Sequence, residues 1–228
     1  MKEQLIIKII LLLNHFLRTG IYESEFLRTY AIKEVSINEG HFSEIDTLKD
    51  WCQSLSERKC HSVYIESDGS EKFSVICEFP NYLERWNFSF DYDGHMWSIA
   101  FTFNNKELLT STTIFDFTYQ VSQFKRSLKS MVRTSEILYM SKWKGTFDRG
   151  LSMISSHEEK LTNFEKSFTR DERVVISALE ELWIFGKVGS WLDLPKTKAQ
   201  EVGCDEYEAR TNKFREEYVR TLRTIMKR

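Results

Sequence analysis

The five residues DYDGH at 91–95 bring two carboxylates and an imidazole close together in the sequence. Asp91, Asp93 and His95 could bind a hard metal ion or carry out acid–base chemistry, because carboxylate oxygens ligate such ions and histidine titrates near neutral pH. The dipeptide Asp93-Gly94 also favours a type I′ hairpin turn, which explains the Asp and the Gly without any chemistry. We therefore interpret the segment as a turn and assign it no catalytic residue.

Other common catalytic and metal-binding patterns are missing. Cys52, Cys60, His61 and Cys77 match no standard zinc spacing, and free cysteine usually behaves as a small buried hydrophobe. The chain has no G-x-S-x-G elbow, phosphate-binding loop or G-x-G-x-x-G fingerprint. Its Glu-x-Lys triplets at 57–59 and 158–160 fall in predicted helices, whereas a nuclease core needs that triplet on a strand. We expect a non-enzymatic protein with no metal, no cofactor and reduced thiols.

Charge is distributed unevenly along the 228 residues, although the net charge is only −2. Residues 1–114 carry 11 basic and 17 acidic side chains, while residues 115–228 carry 21 basic and 17 acidic ones. Acidic residues on and near the predicted hairpin tips could receive a basic protein partner, because complementary charge speeds encounter and orients it. This candidate partner-binding set is Glu66, Asp68, Glu71, Asp91 and Asp93.

The basic segment at 125–149 offers an alternative function, because lysine and arginine neutralise phosphates and aromatic rings stack on bases. Tyr139 and Trp143 are interleaved with seven basic residues there. The candidate nucleic-acid set is Lys125, Arg126, Lys129, Arg133, Lys142, Trp143 and Lys144. A solvated helix face has the same composition, so protein binding is preferred and nucleic-acid binding or processing is kept as the alternative.

Three helices are predicted to open the chain. The apolar run at 3–17 ends at Gly20, and Lys8 together with a length below the roughly 20 residues of a membrane span indicates a buried helix. A second helix fits 22–34, and a third fits 44–58 with Ser43 as its cap. We expect a cytoplasmic protein that does not associate with membranes.

From His61 the hydrophobic period becomes two, which predicts antiparallel strands. One hairpin turns at Asp68-Gly69 and a second turns at Asp93-Gly94, and Asn104-Asn105 would form the next turn before a fifth strand at 110–117. Aromatic residues of the second hairpin share one face, which needs cover. The pattern predicts a meander of four or five strands.

Helical periodicity returns after about residue 118. Helices are predicted over roughly 151–168, from a capping box at Thr169–Glu172 to a stop at Gly186, and from about 205 to the end. Pro195 fits the first turn of a short helix after that stop. The fold class is therefore α+β, and the chain is predicted to form a single domain over 1–228 with a helical 1–60, a sheet over 61–118 and a helical 119–228.

Two short segments, at 11–30 and 185–193, carry distinctive motifs. The stretch 11–30, with Phe16, Leu17, Gly20, Ile21, Glu25, Phe26 and Tyr30, resembles the N-terminal helix pair of the colicin-immunity type. The segment FGKVGSW with Asp193 is similar to a Phe-Gly-Gly-Met-Gly-Ser-Trp-Asn-Asp motif of bacterial proteins, several of them immunity-like, although Lys187 replaces the second glycine and Leu192 replaces the asparagine. The resemblance implies a cytoplasmic bacterial protein that binds and neutralises a toxin. A third hypothesis is self-association, in which a second copy covers the aromatic sheet face.

Overall fold

The computed structural model describes residues 4–38, 47–67, 73–109, 116–159, 167–185 and 190–227. The described residues form eight helices and five strands in two compact units, one built from residues 1–114 with Lys227 and the other from residues 115–226. In the first unit the elements are α1 (Gln4–Thr19), α2 (Phe26–Thr29), β1 (Ile32–Asn38), α3 (Leu48–Glu57), β2 (Ser62–Ser67), β3 (Phe73–Glu78), β4 (Tyr82–Tyr92) and β5 (Trp97–Leu108). In the second unit they are α4 (Phe117–Ile137), α5 (Ser141–Ser156), α6 (Arg170–Glu181), α7 (Leu194–Val202) and α8 (Tyr207–Met226).

The five strands form one mixed sheet with the order β1-β5-β4-β3-β2. Strands β2 to β5 pair with their sequence neighbours in antiparallel fashion, so the two predicted hairpins are confirmed. The first predicted turn, Asp68-Gly69, lies outside the described residues. Strand β1 pairs with β5 in parallel, so the prediction that the whole sheet is a meander was wrong, while the α+β class is confirmed.

The helix predicted at 22–34 is reduced to the single turn of α2, and β1 begins at Ile32 inside the predicted range. Only Phe26–Thr29 are helical, and Ala31 has a positive φ of 51° that ends the helical path. Val35 and Ile37 lie opposite Ile99 and Phe101 of β5 and are buried. Burial of these β-branched side chains against the sheet outweighs the weak helical periodicity.

A β-bulge stands where a turn was predicted at Asn104-Asn105. Trp86 pairs with Phe103 and Arg85 pairs with Asn105, so Asn104 is the extra residue and β5 continues to Leu108. A bulge accommodates one additional residue without ending a strand, and the local Asn pair does not distinguish it from a turn. The fifth strand predicted at 110–117 falls mostly outside the described residues, and Asp116 instead caps α4.

Helices α1 and α3 provide the core of the first unit. Helix α1 is buried along most of its length and contacts β2 and α3, as its apolar run predicted. The side-chain amide of Asn14 accepts a hydrogen bond from the Val63 N–H at 3.0 Å and donates one to the Val63 carbonyl at 2.6 Å. It thereby satisfies backbone groups of β2, an edge strand of the sheet. Helix α3 begins at a Thr47 cap instead of Ser43, which lies outside the described residues.

The second unit is a helical bundle in which α4 contacts α8 and α5, α5 contacts α6, and α6 contacts α8. Phe124, Phe147, Phe214 and Tyr218 are fully buried in its core. Gly150 permits the close approach of α5, because a Cβ at this position would lie 2.5 Å from Cδ1 of Leu182. No helix in the described ranges is long and apolar enough to cross a membrane.

Two helix boundaries in this unit differ from prediction. Helix α5 runs over Ser141–Ser156, about ten residues earlier than the predicted 151–168, because its two glycines weaken the apolar pattern at its start. Helix α6 has the predicted capping box at Thr169 and Glu172 but ends at Glu181, before Gly186. The non-helical backbone after it lets both Trp183 and Phe185 contact Tyr218. In a helix, side chains two residues apart point to nearly opposite sides, so both could not reach the same ring.

Candidate functional site

The acidic residues predicted at the first hairpin tip divide into two groups. Asp68 and Glu71 lie outside the described residues. Glu66 accepts a hydrogen bond from the Arg85 guanidinium at 2.8 Å, and Arg85 also lies 3.6 Å from a carboxylate oxygen of Glu107. Glu66 therefore takes part in an ion-pair network that spans β2, β4 and β5, and this makes it less available for contact with a partner.

The second hairpin tip is a turn organised by Asp93. Its Oδ1 accepts hydrogen bonds from the N–H groups of His95 and Met96, each at 2.9 Å, and Gly94 has a φ of +99°. The Met96 and His95 N–H groups hold the pKa of the Asp93 carboxyl below its ordinary value, so it stays negatively charged. DYDGH forms a turn, as interpreted, but the loop spans residues 93–96 and has a positive φ at Gly94 and not at Asp93, so it is not the predicted type I′ turn. Asp91 and Asp93 are exposed.

A row of aromatic rings runs along one face of the hairpin toward that turn. Phe88 and Phe90 lie 5.6 Å apart, Phe90 contacts Trp97 at 6.4 Å, and Tyr92 contacts Trp97 at 4.5 Å between ring centroids. Phe88, Phe90 and Trp97 are half-exposed and Tyr92 is 49% exposed. Together with Asp91 and Asp93, these four rings are called the hairpin surface.

The other end of the same aromatic face is covered. Trp51 of α3 contacts Trp86 at 5.2 Å and Phe101 at 4.8 Å, and all three are buried. The sequence pattern indicated one continuous apolar face and did not show that its end near the turn is exposed. One sequence feature could have indicated the exposed end: the alternation of aromatic residues continues as far as Tyr92, next to the turn.

The candidate nucleic-acid residues also fall into two groups, those exposed on α4 and those in contact with other side chains of the bundle. Arg126, Lys129 and Arg133 are exposed on one face of α4, and this row is called the α4 stripe. Lys125 is half-buried, and Lys142 lies 5.9 Å from the Trp143 ring centroid.

The remaining two candidates are engaged within the bundle. Trp143 is half-buried and contacts Phe147 and Trp191, so it packs in the unit. Lys144 forms ion pairs with Asp148 at 2.7 Å and with Glu136 at 3.5 Å.

The cysteine thiols are poorly suited to nucleophilic chemistry. Burial raises the pKa of Cys52 to about 12, and it raises the pKa of Cys77 well above its ordinary value, with a hydrogen bond to Cys60 adding to the shift. A thiol in this state is protonated at neutral pH, whereas the thiolate is the reactive form. Across the described residues, no three histidine, cysteine or acidic side chains are grouped so that they could hold a metal ion.

The described residues of the FGKVGSW segment are Phe185, Ser190 and Trp191, and they pack within the second unit. Gly186 and Gly189 lie outside the described residues. Trp191 is fully buried, its indole N–H donates to the Thr211 hydroxyl at 2.8 Å, and its ring stacks on Tyr207. Ser190 Oγ accepts the Leu192 N–H, and Pro195 lies in the first turn of α7 as predicted. The described residues 190–195 therefore pack beside the start of α7, with Trp191 in an aromatic contact with Tyr207.

The stretch 11–30 contains the end of α1 and the short helix α2. Helix α1 ends at Thr19, Gly20 has a φ of +71°, and buried Phe26 contacts Tyr30 at 4.9 Å. A search of known protein families, curated proteins and solved structures finds no match to this chain. Within the described part of the chain, the hairpin surface presents exposed aromatic rings and the α4 stripe presents exposed cations, and a partner could contact either surface.

Proposed function

We propose that this chain is a non-enzymatic protein-binding module that docks a basic protein partner on the hairpin surface. The observation that carries the proposal is the row of half-exposed rings ending at Tyr92, at a hairpin tip that also carries the exposed carboxylates of Asp91 and Asp93. Contiguous exposed apolar surface marks interaction sites, and tyrosine and tryptophan are enriched among residues that dominate binding energy.

The charges beside the rings favour a basic partner. Asp93 is held in its ionised form by two backbone N–H groups, and Asp91 is exposed on the opposite face of the strand from Tyr92. A partner that grips the tip would meet aromatic rings on one face and a carboxylate on the other. Arginine suits both contacts, because its guanidinium pairs with carboxylates and stacks on aromatic rings.

The immunity function is the specific form of this proposal. It is supported by the resemblance of residues 11–30 and of FGKVGSW to immunity proteins of bacteria. The partner would be a toxin with a basic surface, and neutralisation would occur in the cytoplasm by physical occlusion. The protonated thiols of Cys52 and Cys77 support a mechanism without nucleophilic catalysis.

Site-specific photo-crosslinking in the native host tests the docking site. A variant with p-benzoylphenylalanine in place of Tyr92 should form an adduct with one protein, and Asp91→Asn with Asp93→Asn should reduce its yield because the basic partner loses two charges. The matched control carries the same crosslinker in place of Val202, an exposed residue of α7 in the second unit.

The proposal is contradicted by equal adducts at both positions, by no adduct at position 92, or by an adduct with the mass of two copies of this chain. The last result would identify self-association. For the immunity function, the adduct partner must be toxic when expressed alone and harmless when co-expressed with this chain, and a partner without toxicity would refute it.

A further inference from the structure

The α4 stripe forms a straight, exposed row of positive charge. Arg126, Lys129 and Arg133 are spaced by three and four residues, which places them on one face of the helix. Phe124, Leu128 and Met131 are fully buried, so the stripe points away from the core of the bundle. At 1.5 Å per residue the row extends for about 10 Å along the helix axis.

The charges of the stripe are not neutralised by neighbouring side chains. Among the residues that the structure describes, no carboxylate oxygen lies within 4.0 Å of Arg126, Lys129 or Arg133. The polar side-chain contact of Arg126 is with Gln123, at 3.3 Å. In the adjacent helix, by contrast, Lys144 pairs with Asp148, and Arg149 pairs with Glu158. The stripe therefore keeps its charge available for an external anion.

Exposed tyrosine rings lie at both ends of the same helix. Tyr119 in the first turn is 64% exposed, and Tyr139 just after the last turn is 85% exposed. Tyr139 has a positive φ of 55°, a left-handed conformation at the corner between α4 and α5. Rings beside a row of cations are the combination that binds single strands, because the cations contact phosphates and the rings stack on unpaired bases.

We propose that the α4 stripe, flanked by Tyr119 and Tyr139, binds single-stranded nucleic acid with little sequence preference. This function is separate from the protein binding proposed for the hairpin surface. The proposed site consists of three cations of the basic segment and two flanking tyrosine rings. Trp143 and Lys144 are not part of it, because Trp143 packs against Trp191 and Lys144 forms an ion pair with Asp148. The phosphates of the nucleic acid would pair with the three cations of the stripe. The two tyrosine rings would stack on unpaired bases, which favours a single strand over a duplex.

A salt titration with a labelled 12-nucleotide oligouridine tests the proposal. Each phosphate contact by a cation contributes about −0.7 to the slope of log K against log salt for a single strand, so three contacts predict a slope of about −2. Arg126→Gln combined with Lys129→Gln and Arg133→Gln should abolish binding at 20 mM salt. Tyr139→Ala should weaken binding about fivefold or more through lost stacking, without changing the slope.

The matched control removes three charges elsewhere on the same unit, with Arg170→Gln, Lys196→Gln and Lys198→Gln; Arg170 and Lys196 are exposed and Lys198 is half-exposed. It should retain the affinity and slope of the wild type, and circular dichroism melting should verify that both triple variants are folded. The proposal is overturned by no binding at 20 mM salt, or by equal losses in the two triple variants. Tighter binding of a 12-base-pair duplex, or of polyglutamate, would also overturn it, and the polyglutamate result would point to an acidic protein partner.

Discussion

The two ends of the aromatic face on β4 and β5 differ sharply in environment. At one end Trp86 is 1% exposed beneath Trp51 of α3, and at the other end Tyr92 is 49% exposed beside Trp97. The same two strands and the same alternation of side chains produce both ends. The difference arises because Trp51 packs against the first end, whereas the rings near the turn contact mainly one another.

This contrast separates residues that stabilise the unit from residues that are available for binding. A buried ring removes its full apolar area from water on folding, whereas a half-exposed ring can still bury much of its area against a partner. We therefore expect substitutions at the covered end to reduce the free energy of unfolding. Substitutions at the exposed end should reduce binding with little effect on folding.

The largest effect is expected from Trp51→Ala, which removes the cover of Trp86 and Phe101. Truncation of a large buried aromatic residue costs about 3–5 kcal/mol, because it loses transfer free energy and leaves a cavity. Urea denaturation should show this loss at an unchanged m-value, and Trp51→Phe should lose clearly less. A loss below about 1 kcal/mol for the alanine variant would mean that α3 does not stabilise this end.

Asn14→Ala should cause the next largest loss in the free energy of unfolding, because the Asn14 side chain joins α1 to the backbone of β2. The variant leaves the buried N–H and carbonyl of Val63 without their side-chain partners, which should cost about 2–3 kcal/mol. Hydrogen exchange of the Val63 amide should accelerate in the same variant. Unchanged exchange at Val63 would show that the Asn14 amide does not protect this strand.

A smaller effect on the free energy of unfolding is expected from the titration of His15, a buried residue of α1. Burial lowers the pKa of His15 below 6.5, against the opposing influence of Glu23, which lies 3.5 Å away. The unfolded chain therefore binds a proton more readily, and stability should fall as the pH decreases from about 6.5 through the folded-state pKa. Denaturation at pH 7 and pH 5 should show a smaller loss for His15→Gln than for the wild type, and equal losses would refute this assignment.

The smallest effect on folding is expected from Tyr92→Ala at the exposed end. Its loss should stay below about 1 kcal/mol, because the ring keeps much of its solvent exposure and both its contact with Trp97 and its hydroxyl hydrogen bond to the Gly94 carbonyl are at the surface. Thermal melting should place this variant close to Tyr119→Ala, which serves as the exposed control. A loss comparable with that of Trp51→Ala would remove the distinction between the two ends.

Local sequence determined several elements of this protein by itself. The Thr169–Glu172 capping box, the turn at Asp93-Gly94 and the Pro195 helix start depend on hydrogen bonds and backbone angles of adjacent residues. The period-two alternation after His61 likewise identified β2 to β5, since a strand repeats its faces every second residue. The basic composition of α4 was visible in the same way.

Tertiary structure alone decided the remaining features, because they depend on partners distant in the chain. Residues 32–38 became a parallel strand through pairing with β5, and α6 ended at Glu181 as Trp183 and Phe185 packed on α8. The site was decided in the same manner. Alternation shows which rings share a face, but only the packing of Trp51 determines which of them are covered. Only the neighbours of Lys144 and Arg133 determine which of these two cations has a carboxylate partner among the described residues.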